Sequence, residues 1–104
     1  MSEAERHRLS TFYRCSYDDV VSACFAHSGV EILVETLGDK GARAYHRNGE
    51  FVYYPAPEVE VVSTVGAGDA FFAAFASQIM DEESLEKCVK SAVEHASQVI
   101  GFVK

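Results

Sequence analysis

The chain has 104 residues, 48% hydrophobic and 12% aromatic, which bounds it to one small globular domain and excludes a disordered segment. Its formal charge of −7, with nine Lys and Arg residues scattered along the sequence, excludes a basic face for nucleic acid or anionic lipid. No apolar run of roughly 18 residues occurs, and the polar start Met1-Ser2-Glu3-Ala4-Glu5-Arg6 is unlike a signal peptide, so a cytoplasmic protein without a membrane partner is expected.

Residues 1–15 show little periodicity and read as a tail or the stub of a truncated element; residues 16–104 read as the domain proper. Ser16-Tyr17-Asp18-Asp19 is a capping-box-like start, with Asp in place of Glu. A helix should follow, because Tyr17, Val20, Val21, Cys24 and Phe25 recur at helical spacing. Gly29 is expected to end it in a left-handed conformation. Three cysteines, Cys15, Cys24 and Cys88, without close spacing argue for reduced thiols. Cys15, Cys24 and His27 form the only metal-like grouping and fit no zinc spacing, nor do His7, His46 and His95, so no metal ligands are assigned.

Val30 to Thr36 reads as a strand whose consecutive apolar residues Ile32-Leu33-Val34 suit a sheet covered on both faces. A polar two-glycine turn, Thr36-Leu37-Gly38-Asp39-Lys40-Gly41-Ala42, comes next. Residues 42–47 and 50–54 flank Asn48-Gly49, which predicts an antiparallel hairpin with a type I′ turn. Its tyrosines are assigned to packing rather than to stacking on a ligand, and His46 to a solvent-facing position. Pro55-Ala56-Pro57 imposes an extended link into a short strand, Val59-Glu60-Val61-Val62.

The densest chemistry sits in Ser63-Thr64-Val65-Gly66-Ala67-Gly68-Asp69, between that strand and the apolar segment Ala70 to Ala76. Glycines let a backbone approach a ligand closely, and the first N–H groups of a helix have no intrahelical partner, so the turn is a potential anion cradle. Asp69 beside it could accept the proton of an attacking hydroxyl, as phosphoryl transfer requires. The same residues also describe an ordinary helix start, since Asp is a strong N-cap. A dinucleotide fingerprint fails at its third small position, where Phe71 stands, and no acidic residue ends a strand about 20 residues on. A P-loop is excluded, as neither Gly-Lys-Ser nor Gly-Lys-Thr occurs.

The helix after Asp69 is apolar nearly all round and is expected to be buried. A last helix should begin at Ser84 with one stripe, Leu85, Cys88, Val89, Ala92, Val93, Ala96, Val99 and Ile100, and end at Gly101 as a C-cap. Glu83/Lys87 and Glu86/Lys90 are i,i+4 pairs on its solvated face.

Thr64-Val65-Gly66-Ala67-Gly68-Asp69-Ala70-Phe71 resembles the C-terminal signature of the ribokinase-like (PfkB) carbohydrate kinases, Asp-Thr-x-Gly-Ala-Gly-Asp-x-Phe. The resemblance implies that the backbone of Gly66, Ala67 and Gly68 forms the anion hole and that Asp69 is the catalytic base. The leading Asp, which helps build a monovalent-cation site in many members, is Ser63 here, so cation dependence stays open. Thr36 to Ala42 resembles the family's Thr-Leu-Gly-x-x-Gly-Ala segment, which implies nucleotide contacts at Thr36, Gly38 and Gly41; Thr64, in the first signature, is assigned to the same nucleotide site by that resemblance. The last helix borders the adenine pocket in such proteins; His95 and Ser97 are the loose candidates there, with surface positions expected.

The implied fold is α/β, the C-terminal part of a Rossmann-like sandwich sheet with a hairpin and flanking helices. The implied reaction is ATP-dependent phosphoryl transfer to a sugar hydroxyl, with Mg2+ ligands mostly outside this chain. The family's Asn-x-x-Glu motif, expected upstream of the Thr-Leu-Gly segment, is missing: Asn48 is the only asparagine, and Phe51 stands three positions on. The sugar-binding half has no counterpart, so a sugar partner is expected only if that half is supplied. The alternative is a non-catalytic nucleotide-binding or interaction module. An unpaired sheet edge predicts self-association, a partner that supplies the missing strands, or poor solubility.

Overall fold

The structure, a computed structural model, describes residues 1–61 and 66–103. The chain order is α1 (Glu3–Tyr13), a 3₁₀ turn (Tyr17–Asp19), α2 (Val20–His27), β1 (Ile32–Thr36), β2 (Ala42–His46), β3 (Phe51–Tyr54), β4 (Val59–Val61), α3 (Ala67–Met80), α4 (Leu85–Ile100) and β5 (Gly101–Val103). β1, β2 and β3 form an antiparallel sheet in that order, and β4 pairs antiparallel with β5.

The core lies between the three-stranded sheet and the α3–α4 pair. Val34, Ala42 and Ala44 meet Phe71, Phe75, Leu85, Cys88, Val89, Ala92 and Val93 there. The stripe on α4 supplies most of the helical side, as its spacing predicts, and Ser84 caps it by accepting a bond from the Lys87 N–H at 3.2 Å. Of the two i,i+4 pairs, Glu83–Lys87 closes at 3.1 Å. Both Val34 and Glu35 are buried, so β1 is covered on its two faces.

What covers the second face is an ion pair. Arg6 of α1 donates from Nη1 to both oxygens of Glu35 at 2.9 Å, and its Nε donates to the Tyr17 carbonyl at 3.0 Å. Tyr45 adds a hydroxyl at 3.3 Å, and Arg43 approaches the same carboxylate at 3.7 Å. Arg6 also lies over the Tyr17 ring, 4.4 Å from its centroid.

Several expectations are corrected. Residues 1–15, read as a tail or stub, hold α1, which starts with a full capping box at Ser2 and Glu5 and is tied down by Arg6. Their weak apolar periodicity reflects an anchor that is polar. Helix α2 ends at Ser28 in an extended conformation, and Gly29 has no positive φ. The hairpin does not use a type I′ turn: Gly49 alone has positive φ (98°), with Gly49 N–H donating to His46 and His46 N–H to Glu50. That is a three-residue loop in which a single left-handed glycine follows the turn. Gly101 opens β5 instead of capping α4.

The largest departure is α3. Only Phe71 and Phe75 are buried, while Phe72 is 49% and Met80 82% exposed. An all-round apolar helix has one covered side here.

Two outcomes follow from this packing. Glu35→Ala leaves the buried Arg6 guanidinium without its partner and should cost about 3–5 kcal/mol, whereas the double change Arg6→Met with Glu35→Leu should recover most of that, as read by urea denaturation. Burial pushes the Cys24 and Cys88 thiols above their ordinary value, with smaller contributions from Cys15 and Glu83 respectively. A raised thiol favours the protonated native form, so this stabilisation is whole below the unfolded thiol's value and is lost as pH climbs through the folded one. Iodoacetamide at mildly alkaline pH should therefore label the half-buried Cys15 first and reach Cys24 and Cys88 only after unfolding.

Candidate functional site

Two backbone turns frame the site. At the end of β1, Leu37 N–H donates to Gly41 C=O at 2.9 Å and closes a loop around the 3₁₀ turn Gly38–Lys40. Gly38 has φ 61° and Gly41 φ 107°. A Cβ on Gly41 would sit 2.1 Å from the Tyr54 carbonyl and 2.8 Å from the Ala56 nitrogen, so the loop can lie against the end of β3 only with glycine there. Thr36 is fixed from the other side: its N–H donates to the Met1 carbonyl at 2.8 Å and its hydroxyl to the same oxygen at 3.3 Å.

The second turn opens α3. Gly66, at φ 83°, is the N-cap and brings no side-chain hydrogen bond, and the first intrahelical bond runs from Ala70 N–H to Gly66 C=O at 2.9 Å. The N–H groups of Ala67, Gly68 and Asp69 thus head the helix with the positive end of its dipole and no capping side chain. Asp69 is exposed in that first turn. Ser63 and Thr64 lie outside the described residues.

The fold brings the two turns to one cleft of about 710 Å³, bordered by Thr36, Gly38 and Gly41 on one side and by Ala67 and Gly68 on the other. Pro57, Phe71, Val93 and Ala96 give it an apolar wall. Its charged lining residues are Asp39 and Glu58; no Lys or Arg lines it among the described residues. An anion in this cleft would be held by backbone N–H groups rather than by side-chain cations.

Ser97, expected at the surface, is buried at the cleft and donates its hydroxyl to the Val93 carbonyl at 2.9 Å. It lies on the same helical face as Val93 and Ala96, which the apolar stripe could have indicated. His95 is exposed, with Nδ1 2.8 Å from the Ser91 carbonyl, and does not line the cleft. Ser2 and Glu5 went unread in the sequence. They keep the Asn-x-x-Glu spacing upstream of Thr36, with serine in place of asparagine. In the structure the Ser2 backbone N–H, its side chain and then the chain's amino terminus hold the exposed Glu5 carboxyl below its ordinary value. The signal was the Ser-x-x-Glu capping signature itself.

Comparison with known proteins places the chain in one family. The family model described as pfkB family carbohydrate kinase matches residues 3–102. The chain is 36% identical over 98 residues to a deoxyribokinase of Salmonella typhi, covering 92% of this chain and 32% of the relative. A cytidine kinase of Thermococcus kodakarensis is 37% identical over 76 residues, covering 69% of this chain and 26% of the relative. Among solved structures, the ribokinase of Arabidopsis thaliana complexed with ribose and ATP superposes with a TM-score of 0.82 at 30% identity, over 95% of this chain and 33% of that one. The ribokinase of Thermotoga maritima gives 0.81 at 27%, over 95% and 34%. The chain therefore spans about a third of the length of the relatives it matches.

The glycines can be tested by stability alone. Gly68 has no positive φ, and a Cβ there would meet nothing within 4 Å, so Gly68→Ala should stabilise the chain by about 0.5–1 kcal/mol. Gly41→Ala should cost about 2 kcal/mol or more, because it combines overpacking with a disfavoured backbone. Thermal melting of both variants distinguishes the two cases.

Proposed function

The chain belongs to the pfkB family of carbohydrate kinases, and we propose that it supplies the phosphate-binding and base-bearing side of an ATP-dependent transfer to a sugar hydroxyl. The observation that carries this reading is the meeting of Thr36, Gly38 and Gly41 with Ala67 and Gly68 at one cleft.

In this reading the nucleotide lies along the apolar wall with its phosphates toward the head of α3. The sugar oxygen attacks the terminal phosphorus; an oxygen–phosphorus bond forms, the bond to the bridging oxygen of ADP breaks, and Asp69 takes the hydroxyl proton. The N–H groups of Gly66, Ala67 and Gly68 offset the charge that develops on the phosphoryl oxygens. Gly68 then has a reason to be glycine that the fold does not give: its missing Cβ lets the phosphates reach the backbone. Thr36, Gly38 and Gly41 form the nucleotide's other border, to which Thr64 is assigned by resemblance.

Magnesium is the family's expected companion of ATP. Among the described residues no group of three or more His, Cys, Asp and Glu side chains is gathered for a metal, so no step is assigned to an ion held by this chain. Among the described residues no helix is long and apolar enough to cross a membrane.

A specific observation favours the second, non-catalytic reading for the chain by itself. Positioning of nucleotide and acceptor together is most of this catalysis, and the exposed side of α3 marks packing that is incomplete at 104 residues. We expect no sugar-dependent ADP release from the chain alone in a coupled assay across hexoses and ribose. In a longer form carrying a sugar-binding half, Asp69→Asn should lower transfer at least about 100-fold while nucleotide affinity by calorimetry stays within about twofold. Gly68→Ala should instead weaken nucleotide binding. Full transfer by the Asp69→Asn variant would remove the base from Asp69.

A further inference from the structure

We propose that the free edge of β3 is a docking surface for a second copy of this chain: two β3 strands join antiparallel about a twofold axis at Val52, and two three-stranded sheets become one. The inference rests on strand geometry and is independent of the reaction assigned above.

The first observation is which groups the edge offers. β3 stands last in the order β1-β2-β3, so one side of it carries no strand among the described residues. His46 N–H donates to Glu50 C=O at 2.8 Å, which makes positions 46 and 50 a hydrogen-bonded pair. Such pairs alternate along an antiparallel ladder, so Val52 and Tyr54, opposite Ala44 and Ala42, also bond to β2. Phe51 and Tyr53 therefore aim their N–H and C=O groups outward. Their side chains stand on the face away from the α3–α4 core and are 54% and 46% exposed.

The second is that the ends of this window select one register. Gly49 N–H already donates to the His46 carbonyl at 2.9 Å, and Pro55 has no N–H. Setting Phe51 against the partner's Phe51 would put Tyr53 opposite the partner's Gly49, whose donor is taken. Setting Tyr53 against the partner's Tyr53 would put Phe51 opposite the partner's Pro55, which has none to give. With Phe51 against the partner's Tyr53, both such pairs exchange both of their bonds, and Val52 meets the partner's Val52 on the axis. That register is unchanged by a twofold rotation, as a closed dimer requires.

The third is what the strand carries. Edge strands are ordinarily blunted by charge, proline or a bulge, and Phe51-Val52-Tyr53-Tyr54 holds none of these within it. The same register sets Phe51 beside the partner's Tyr53 on the outer face, a cross-strand aromatic pair that twofold symmetry makes twice. Backbone and side chains are thus complementary to themselves, which singles out a second copy as the occupant. Two four-residue strands make a small contact, so the dimer should form only in concentrated solution.

Sedimentation equilibrium of the chain from about 10 μM to about 1 mM should show monomers and dimers and no larger species. Over that range hydrogen exchange should slow at the Phe51 and Tyr53 amides, with Val52 and Tyr54, already bonded to β2, changing less. In a Cys15→Ser background, Val52→Cys should cross-link into a disulfide dimer under glutathione disulfide, because residues in a non-hydrogen-bonded pair lie within disulfide reach. Phe51→Cys should not, since the partner's copy of that position is two residues out of register and beyond roughly 7 Å. Tyr53→Pro deletes an outward donor while sparing the β2–β3 ladder and should abolish the dimer; Tyr53→Phe should keep it. A monomer up to 1 mM, a dimer whose Phe51 and Tyr53 amides exchange unchanged, or equal cross-linking by Phe51→Cys and Val52→Cys would each overturn the proposal. Undiminished dimerisation of a folded Tyr53→Pro variant would do so as well.

Discussion

The arrangement depends first on a carboxylate that has almost no access to water. Glu35 is 1% exposed, and it can remain there only because Arg6 meets both of its oxygens. Arg6 is itself held by the Tyr17 carbonyl and ring, so the network fastens α1, the 3₁₀ turn and β1 to one another. Burial draws the Arg6 guanidinium toward the neutral form, yet its bonds to Glu35, with a smaller contribution from the nearby Tyr45, outweigh this and raise it overall. A buried pair of this kind adds little net stability over an apolar replacement. Its consequence is directional. Thr36 follows Glu35 immediately, so fixing the carboxylate sets where β1 ends and where the loop to Gly41 begins.

This explains which parts of the molecule could be read from the sequence. Helix α4 was legible because one face carries Leu85, Cys88, Val89, Ala92 and Val93 into a core that hydrophobic burial drives. The strands of the hairpin were legible from their alternation, but the turn type was not, since Asn-Gly fits both a two-residue loop with positive φ at each residue and a three-residue loop with positive φ at the glycine alone. Helix α1 was missed because its anchor is a salt bridge across 29 residues of chain, and helical periodicity registers apolar stripes. The 3₁₀ turn Gly38–Lys40 and the start of α3 at Gly66 fall where the glycines of the sequence put them. Their meeting was not visible from either alone, for it depends on the packing of α3 and α4 against the sheet.

The misreading of α3 has a different origin. An apolar circumference means burial only when enough chain is present to bury it, and small domains cover a smaller fraction of their surface. Phe71 and Phe75 face the core with nearly parallel rings 6.4 Å apart, while Phe72, one residue round the helix, meets water. Helix α3 therefore keeps Phe72, Ile79 and Met80 on an uncovered side. Its head still forms the cleft because the two inward phenylalanines and α4 suffice to hold that end in place.

The glycines at the cleft separate what the fold needs from what a ligand would need. Gly41 answers to the fold, since the Tyr54 carbonyl occupies the space of any Cβ, and Gly66 answers to a left-handed backbone. Gly68 answers to neither, and it stands in a helix, where glycine is a costly residue. The charges at the cleft sharpen the point. Asp39 and Glu58 would repel a phosphate, so attraction has to come from N–H groups at contact distance, where the dipole at the head of α3 is strongest. Any side chain at position 68 would hold an anion away from that contact. A glycine without structural cause, at the one place where the local charges are otherwise of the wrong sign, is what a backbone anion hole requires.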